Sequence, residues 1–188
     1  FTEHSGEIAA VITEASPANM GVVPPEPGFN RALAELCSAE GALLVCDEVL
    51  TGFRTGPAGW WGEEQKSEAS GGWQADLYTY GKVIGGGMPV AALGGSREIM
   101  SHLAPQGPVY QAGTLSGNPV AVAAGIATLA LADADVYARV DAAAERIRAA
   151  TSEALSAAGV AHSVQNVGNL FSFTFGDANV QIERVGVT

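Results

Sequence analysis

Three segments near the start of the chain leave few folds open. Residues 8–13 (Ile-Ala-Ala-Val-Ile-Thr) are an apolar run of strand length that reads as buried, with Glu14 at its carboxyl end. Pro27-Gly28 then opens a helix whose apolar positions Phe29, Leu33, Leu36 and Cys37 recur at helical spacing, and Gly41 ends it as a C′ residue. Residues 42–46 (Ala-Leu-Leu-Val-Cys) form a second apolar strand, ending at Asp47. Strand, helix and strand within about 40 residues make a right-handed crossover with a parallel pair, so the expectation is an α/β sheet covered on both faces. Ligands of such sheets bind beyond the carboxyl ends of the strands, where Glu14 and Asp47 both fall.

Farther along, residues 51–74 are rich in glycine and polar side chains, and Glu63-Glu-Gln-Lys-Ser-Glu-Ala-Ser-Gly-Gly72 reads as an exposed, mobile insertion with Glu63 and Glu64 solvated. Residues 77–80 form a short strand and residues 90–93 another. The short glycine-rich link between them makes the second antiparallel to the first. A helix over residues 97–103 is ended by Pro105. Asn118 as N-cap and Pro119 at the first helical position then open a helix to Leu131 that is apolar nearly all round, which predicts burial or a subunit contact. A domain boundary is expected near Asp133. Residues 1–132 form part of a large domain, and residues 133–188 begin a small α+β one. The latter holds an amphipathic helix carrying Val136, Val140, Ile147, Ala154 and Leu155, then strands near 161–165 and 170–175.

Composition narrows the function classes. Hydrophobic residues make up 47% and charged ones 15%, which is enough apolar material for a packed core and too little charge for disorder. A formal charge of −11 offers no basic stripe to nucleic acid or to an anionic membrane surface. Cys37 and Cys46 fall on a helix and a buried strand, where reduced, packed thiols are expected. Without a basic and apolar leader at the start, or an apolar run near about 18 residues, the expectation is a cytoplasmic protein. The chain opens on Phe1 and stops at Val185-Gly-Val-Thr188 without a closing element, so it reads as a piece of something longer.

Lys82 carries the sharpest chemical signal. It is the only charged residue between Asp76 and Arg97, set among apolar and glycine neighbours. Desolvation disfavours an ammonium, and a neutral lysine amine can form a Schiff base with an aldehyde. A solvated loop lysine accounts for the same pattern when it is taken alone. Asp47, at the end of another apolar run, supplies the second group: a buried acid able to face a pyridinium nitrogen. A strand-end aspartate capping a turn has the same appearance. His4, His102 and His162 show no metal-ligand spacing, and no Ser/His/Asp arrangement is evident.

Three ordered motifs, Asp47-Glu-Val-Leu-Thr-Gly-Phe-Arg54, Gly81-Lys-Val-Ile-Gly-Gly-Gly-Met-Pro89 and Gly113-Thr-Leu-Ser-Gly-Asn-Pro119, resemble those of the class III pyridoxal-phosphate aminotransferases of fold type I. The stretch Gly107-Pro-Val-Tyr-Gln-Ala-Gly-Thr-Leu-Ser-Gly-Asn-Pro119 is similar to that of the branch acting on glutamate-1-semialdehyde. The resemblance implies a mostly parallel large-domain sheet and a cofactor cycling between pyridoxal 5'-phosphate and pyridoxamine 5'-phosphate. It implies an amino-aldehyde substrate and an intramolecular amino transfer yielding 5-aminolevulinate for tetrapyrrole synthesis. An intermolecular aminotransferase, or a non-catalytic scaffold of this fold, are the other readings.

Residue by residue, the resemblance gives Lys82 the Schiff base and the proton shuttle, and Asp47 the ring nitrogen. Val49 packs under the ring, or simply in the core. Thr114, with Gly113 beside it, meets the phosphate of a neighbouring subunit, aided by the unpaired N–H groups and dipole of the following helix, which implies a homodimer with shared sites; an ordinary threonine cap has the same appearance. Asn19, in Glu14-Ala-Ser-Pro-Ala-Asn19, lies near the ring hydroxyl or serves as a loop cap, since Ala15 and Ala18 stand where the family has proline and glycine. Only the middle of the family's length is covered, so this polypeptide alone is expected to be inactive.

Overall fold

The computed structural model describes residues 1–176. Residues 177–188, the end of the expected small domain, lie outside the described part.

Strand β1 (Ala10–Glu14), helix α1 (Phe29–Glu40) and strand β2 (Leu43–Asp47) form the crossover expected from the sequence, each strand beginning and ending slightly later than its apolar run. Gly41 ends α1 in the left-handed region at φ 70°, a conformation that a Cβ would strain. Helix α2 (Gly59–Glu64) follows, then β3 (Leu77–Tyr80) and β4 (Ala92–Gly95). The four strands lie in the order β1-β2-β3-β4, parallel up to β3 and antiparallel at β4.

Alternation along β2 decides what is covered. Ala42, Leu44, Cys46 and Glu48 are buried, and they point toward a core of Ala15, Cys37, Trp73 and Ala75 flanked by Leu33, Trp60, Trp61 and Tyr78. Leu43, Val45, Asp47 and Val49 alternate onto the other face, which the described elements leave open. Register carries Ile12, 67% exposed, and Leu93, 44% exposed, onto that face as well. Among the described residues the expected two-sided cover is therefore present on one face only, where a single crossover helix lays its apolar stripe, and they do not enclose residues 8–13. Of that stripe, Leu33 and Cys37 pack inward, while Phe29 and Leu36 are exposed.

The helix expected over 97–103 is one turn, α3 (Arg97–Met100), capped by the Ser96 hydroxyl. Helix α4 (Pro119–Leu131) begins at Asn118 as expected. Only Ala121 and Gly125 along it are buried; Ile126 is 66% and Leu131 72% exposed, so of the two expectations for this helix the described residues supply burial along one narrow stripe only. Among the described residues, no single helix is long and apolar enough to cross a membrane.

Asp133 caps helix α5 (Ala134–Ala157), its carboxylate accepting from the Val136 N–H at 2.9 Å. Strands β5 (His162–Val167) and β6 (Leu170–Phe175) pair antiparallel around the Gly168-Asn169 turn. At that turn the Asn169 amide donates to the Arg54 carbonyl at 2.8 Å and to the Asp141 carboxylate at 3.0 Å, tying α5 and the hairpin to the loop after β2.

Candidate active site

The carboxyl ends of β1, β2 and β3 bring Glu14, Asp47 and Thr79 into lateral register. Asp47 is half-buried, and one carboxylate oxygen accepts the Val49 N–H at 2.8 Å. That is the turn-capping bond an aspartate at a strand end makes, and it leaves the second oxygen without a partner among the described residues. Beside it, Gly81 follows β3. A Cβ built at Gly81 would stand 3.3 Å from a Val49 methyl, so the two strand ends approach closely just before Lys82.

Lys82 opens the 3-10 turn Lys82–Gly85 with φ at 49°, left-handed backbone that a non-glycine residue holds only under local constraint. The constraint comes from α4. A Cβ at Gly125 would lie 2.5 Å from the Ile84 carbonyl oxygen, and one at Gly86 would lie 3.0 Å from the Ala124 carbonyl oxygen. Two missing side chains therefore let the turn seat on the helix. The lysine side chain itself is exposed, so the desolvated amine expected from its apolar neighbours is not realised within the described residues. Its sequence neighbours Ile84 and Gly85 bury themselves against α4, while the left-handed backbone directs Lys82 away from them.

The fully buried acid is not Asp47 but its neighbour. Glu48 is 1% exposed, and its carboxylate accepts from the Trp60 N–H at 3.1 Å, the Trp61 N–H at 2.8 Å and the Thr51 hydroxyl. Burial pushes its carboxyl above the usual range, partly offset by those three donors. In effect Glu48 caps α2 from a distance, with no residue at the helix start needed for the task.

Glu64 also departs from expectation. Glu63 is half-buried and meets the exposed Lys66 amine at 2.7 Å. Glu64 is buried, accepting from the Asn30 amide at 3.0 Å and the Trp73 indole N–H at 2.9 Å, and burial raises its carboxyl pKa as well. The supposed insertion is thus anchored at its start. Trp60, Trp61 and Trp73 around it were the available signal, because buried indoles bring apolar surface and seek acceptors.

Gly113 and Thr114 lie in an exposed loop closed by the Ser116 N–H to Gly113 carbonyl bond at 2.9 Å. The expected free N–H groups of α4 are not free: the Asn118 side-chain oxygen takes those of Val120 and Ala121 at 3.0 and 3.1 Å. An anion there would be met by the 113–116 loop, not by the helix end. Asn19 is exposed beyond a turn in which Glu14 accepts the Ala18 N–H at 3.1 Å. No hydrogen bond among the described residues joins Asn19, Gly113 or Thr114 to Asp47 or Lys82.

Two features lie outside this edge. A cavity of about 700 Å³ between α2 and α5 is lined by Trp60, Lys66, Asp141 and Arg148 among others, and by none of the residues designated from sequence. His162 donates its Nδ1–H to the Val160 carbonyl at 2.9 Å and so accepts the Ser152 hydroxyl at Nε2, at 2.7 Å. This serine–histidine pair was not singled out from the sequence, and it does not make a Ser/His/Asp arrangement. Its third member is a backbone carbonyl, and the arrangement clasps the last turns of α5 to β5.

Known proteins resemble this chain in sequence and in fold. The family model described as aminotransferase class-III matches residues 1–186. The glutamate-1-semialdehyde 2,1-aminomutase of Propionibacterium freudenreichii subsp. freudenreichii is 57% identical over 180 residues, covering 96% of this chain and 40% of that protein. An omega-transaminase from Sphaerobacter thermophilus superposes with a TM-score of 0.81 at 34% identity, over 92% of this chain and 38% of its own. A glutamate-1-semialdehyde-aminomutase from Pseudomonas aeruginosa PAO1, in complex with PMP, does so at 0.74 and 30%, over 90% and 38%. This chain spans about 40% of the length of the curated relatives it matches. A parallel sheet whose strand ends carry the aspartate and lysine motifs, under a family model that spans nearly every residue, means that the chain belongs to the class-III aminotransferases.

Proposed function

We propose that this chain is the middle portion of a pyridoxal-phosphate-dependent aminomutase that converts glutamate-1-semialdehyde to 5-aminolevulinate. The observation that carries the reading is the juxtaposition at the sheet edge. Asp47, with one oxygen unused among the described residues, ends one strand, the exposed Lys82 amine follows the adjacent parallel strand, and a Val49 methyl lies against Gly81 just before that lysine. An acid with a spare acceptor, an amine and an open apolar face fit a planar aromatic aldehyde with a basic ring nitrogen. The aminomutase named above shares 57% of the residues it aligns with.

Bound there, pyridoxal phosphate supplies an aldehyde that condenses with amines and a ring that accepts electrons. Asp47 would keep the ring nitrogen protonated by accepting its N–H at the oxygen that Val49 leaves free, a charge-assisted bond. Lys82 would hold the cofactor through Nζ when substrate is absent and, once freed by the incoming amine, would carry a proton at the same Nζ between the substrate carbon and the cofactor carbon. Val49 supports one face of the ring, and Asn19 serves its hydroxyl. Gly113 and Thr114 receive the phosphate of a second copy, with the exposed apolar side of α4 at the contact. The assembled protein is thereby a homodimer with shared sites, whose large and small domains divide at residues 132 and 133. Free, buried Cys37 and Cys46 and a charge of −11 suit a cytoplasmic enzyme that binds neither nucleic acid nor membrane.

An intermolecular aminotransferase uses the same residues, and the superposition on a transaminase at a TM-score of 0.81 favours keeping that reading in view. Glutamate-1-semialdehyde supplied to the complete protein without an amino acceptor separates the two, since only a mutase turns over repeatedly. Lys82→Ala abolishes turnover while leaving the far-ultraviolet dichroism unchanged; near-normal turnover in that variant rejects the lysine assignment. Borohydride reduction followed by peptide mapping places a pyridoxyl group on Lys82, and an unlabelled peptide there would favour a non-catalytic scaffold.

A further inference from the structure

We propose that Glu48 is a positioning residue for the catalytic edge, holding the turn after β2 so that Asp47 and the Lys82 turn keep a fixed separation. The inference rests on the roles given above to Asp47 and Lys82.

Glu48 ties together three elements at once. Its N–H donates to the Thr79 carbonyl at 2.9 Å, stitching the end of β2 to β3 three residues before Lys82. Its carbonyl accepts the Gly52 N–H at 2.7 Å and closes the turn. Its carboxylate accepts the Thr51 hydroxyl and the Trp60 and Trp61 N–H groups beneath the sheet edge.

Two glycines make room for this construction. A Cβ at Gly59, whose φ is 62°, would stand 2.8 Å from the Glu48 carboxyl carbon, and one at Gly52 would stand 2.5 Å from the Tyr80 ring. Phe53 then meets Tyr80 edge-on, ring centres 5.4 Å apart, and Tyr80 leads directly into Gly81 and Lys82. A displacement of the Glu48 carboxylate is thus passed to Asp47 through one peptide bond and to the lysine strand through Thr79, Gly52 and Phe53. An apolar residue at position 48 would fill the space without desolvating a charge, but it would leave two backbone donors and a hydroxyl without acceptors.

The test uses the complete protein with pyridoxal phosphate as the probe, in variants Glu48→Gln and Asp47→Asn. Three quantities are read: the Kd of the apo-protein for pyridoxal phosphate, the pH midpoint of the visible absorbance of the bound cofactor, and the apo-protein Tm. Glutamine keeps the shape but turns an N–H donor toward one of the three donors. A misplaced Asp47 is expected to weaken cofactor binding about tenfold to a hundredfold, the range for losing a hydrogen bond to a charged group. It should also move the absorbance midpoint in the same direction as Asp47→Asn.

If Asp47→Asn moves Kd and midpoint while Glu48→Gln lowers only Tm, Glu48 is structural and the proposal is overturned. If Asp47→Asn moves neither, the Asp47 assignment fails and takes this inference with it. Should Glu48→Gln not fold, Thr51→Val removes one buried donor with little change of shape. A smaller shift of the same sign supports the proposal, and an unmoved midpoint overturns it.

Discussion

Gly125→Ala probes how Lys82 is held. In an isolated helix alanine is preferred to an interior glycine by about 1 kcal/mol, so the substitution taken locally stabilises α4. Here the new Cβ would lie 2.5 Å from the Ile84 carbonyl oxygen, well inside van der Waals contact. That oxygen is backbone and cannot rotate aside, so helix and turn must separate by several tenths of an ångström. Overpacking of this kind costs about 1–3 kcal/mol, so the net change is a loss of about 0–2 kcal/mol. Stability is the smaller consequence. The strained backbone of Lys82, φ 49°, lies two residues before Ile84 and loses its support. Misplacement by about 1 Å can cost a hundredfold in rate. Urea unfolding of the complete apo-protein measures the first effect, and the rate at which Lys82 is trapped on pyridoxal phosphate by borohydride measures the second. A variant about 1 kcal/mol more stable than the parent, with undiminished trapping, would show that α4 does not bear on the turn.

Glu64→Ala should destabilise the protein by about 1–3 kcal/mol for each buried donor left on Asn30 and Trp73, whereas Glu63→Ala, which removes an exposed pair with Lys66, changes it by less than about 0.5 kcal/mol. Equal denaturation midpoints for the two variants would reject the anchoring role of Glu64. Because burial raises the carboxyl pKa of Glu48 and Glu64 above the ordinary range of a glutamate, the native state keeps protons that the unfolded chain releases. Their contribution is therefore full below that range and lost as pH rises through the folded values. Urea midpoints measured upward from pH 4 should show this downward slope, flattened in Glu64→Gln, and an unaltered slope in the variant counts against the assignment. Asn118→Ala leaves the Val120 and Ala121 N–H groups without their acceptor and should cost about 1 kcal/mol in urea unfolding; no change would mean that the cap is inconsequential.

Much of the fold was legible because its signals are local. Gly41 ends α1, Asn118 and Pro119 start α4, and Asp133 starts α5, each through bonds reaching only a few residues along the chain. The crossover unit follows from two apolar runs and the helical spacing between them. The antiparallel turn into β4 likewise follows from a short link. Motif order brought Asp47 and Lys82 forward as a pair, and strand register then set their neighbourhood.

What the sequence determined alone is thus the kind and order of elements and the chemical identity of the groups at the strand ends, since these depend on nearest neighbours. The tertiary structure decided which of two adjacent acids is enclosed. Alternation places Asp47 and Glu48 on opposite faces, but only the packing of α1 and the tryptophans makes the Glu48 side the inside. It also decided that Glu64 meets a donor 34 residues away on α1, that Lys82 stands exposed on a strained turn, and that Gly125 is a seat for that turn and not a flaw in α4. Burial and close approach are sums over residues distant in sequence, and no window along the chain contains both partners.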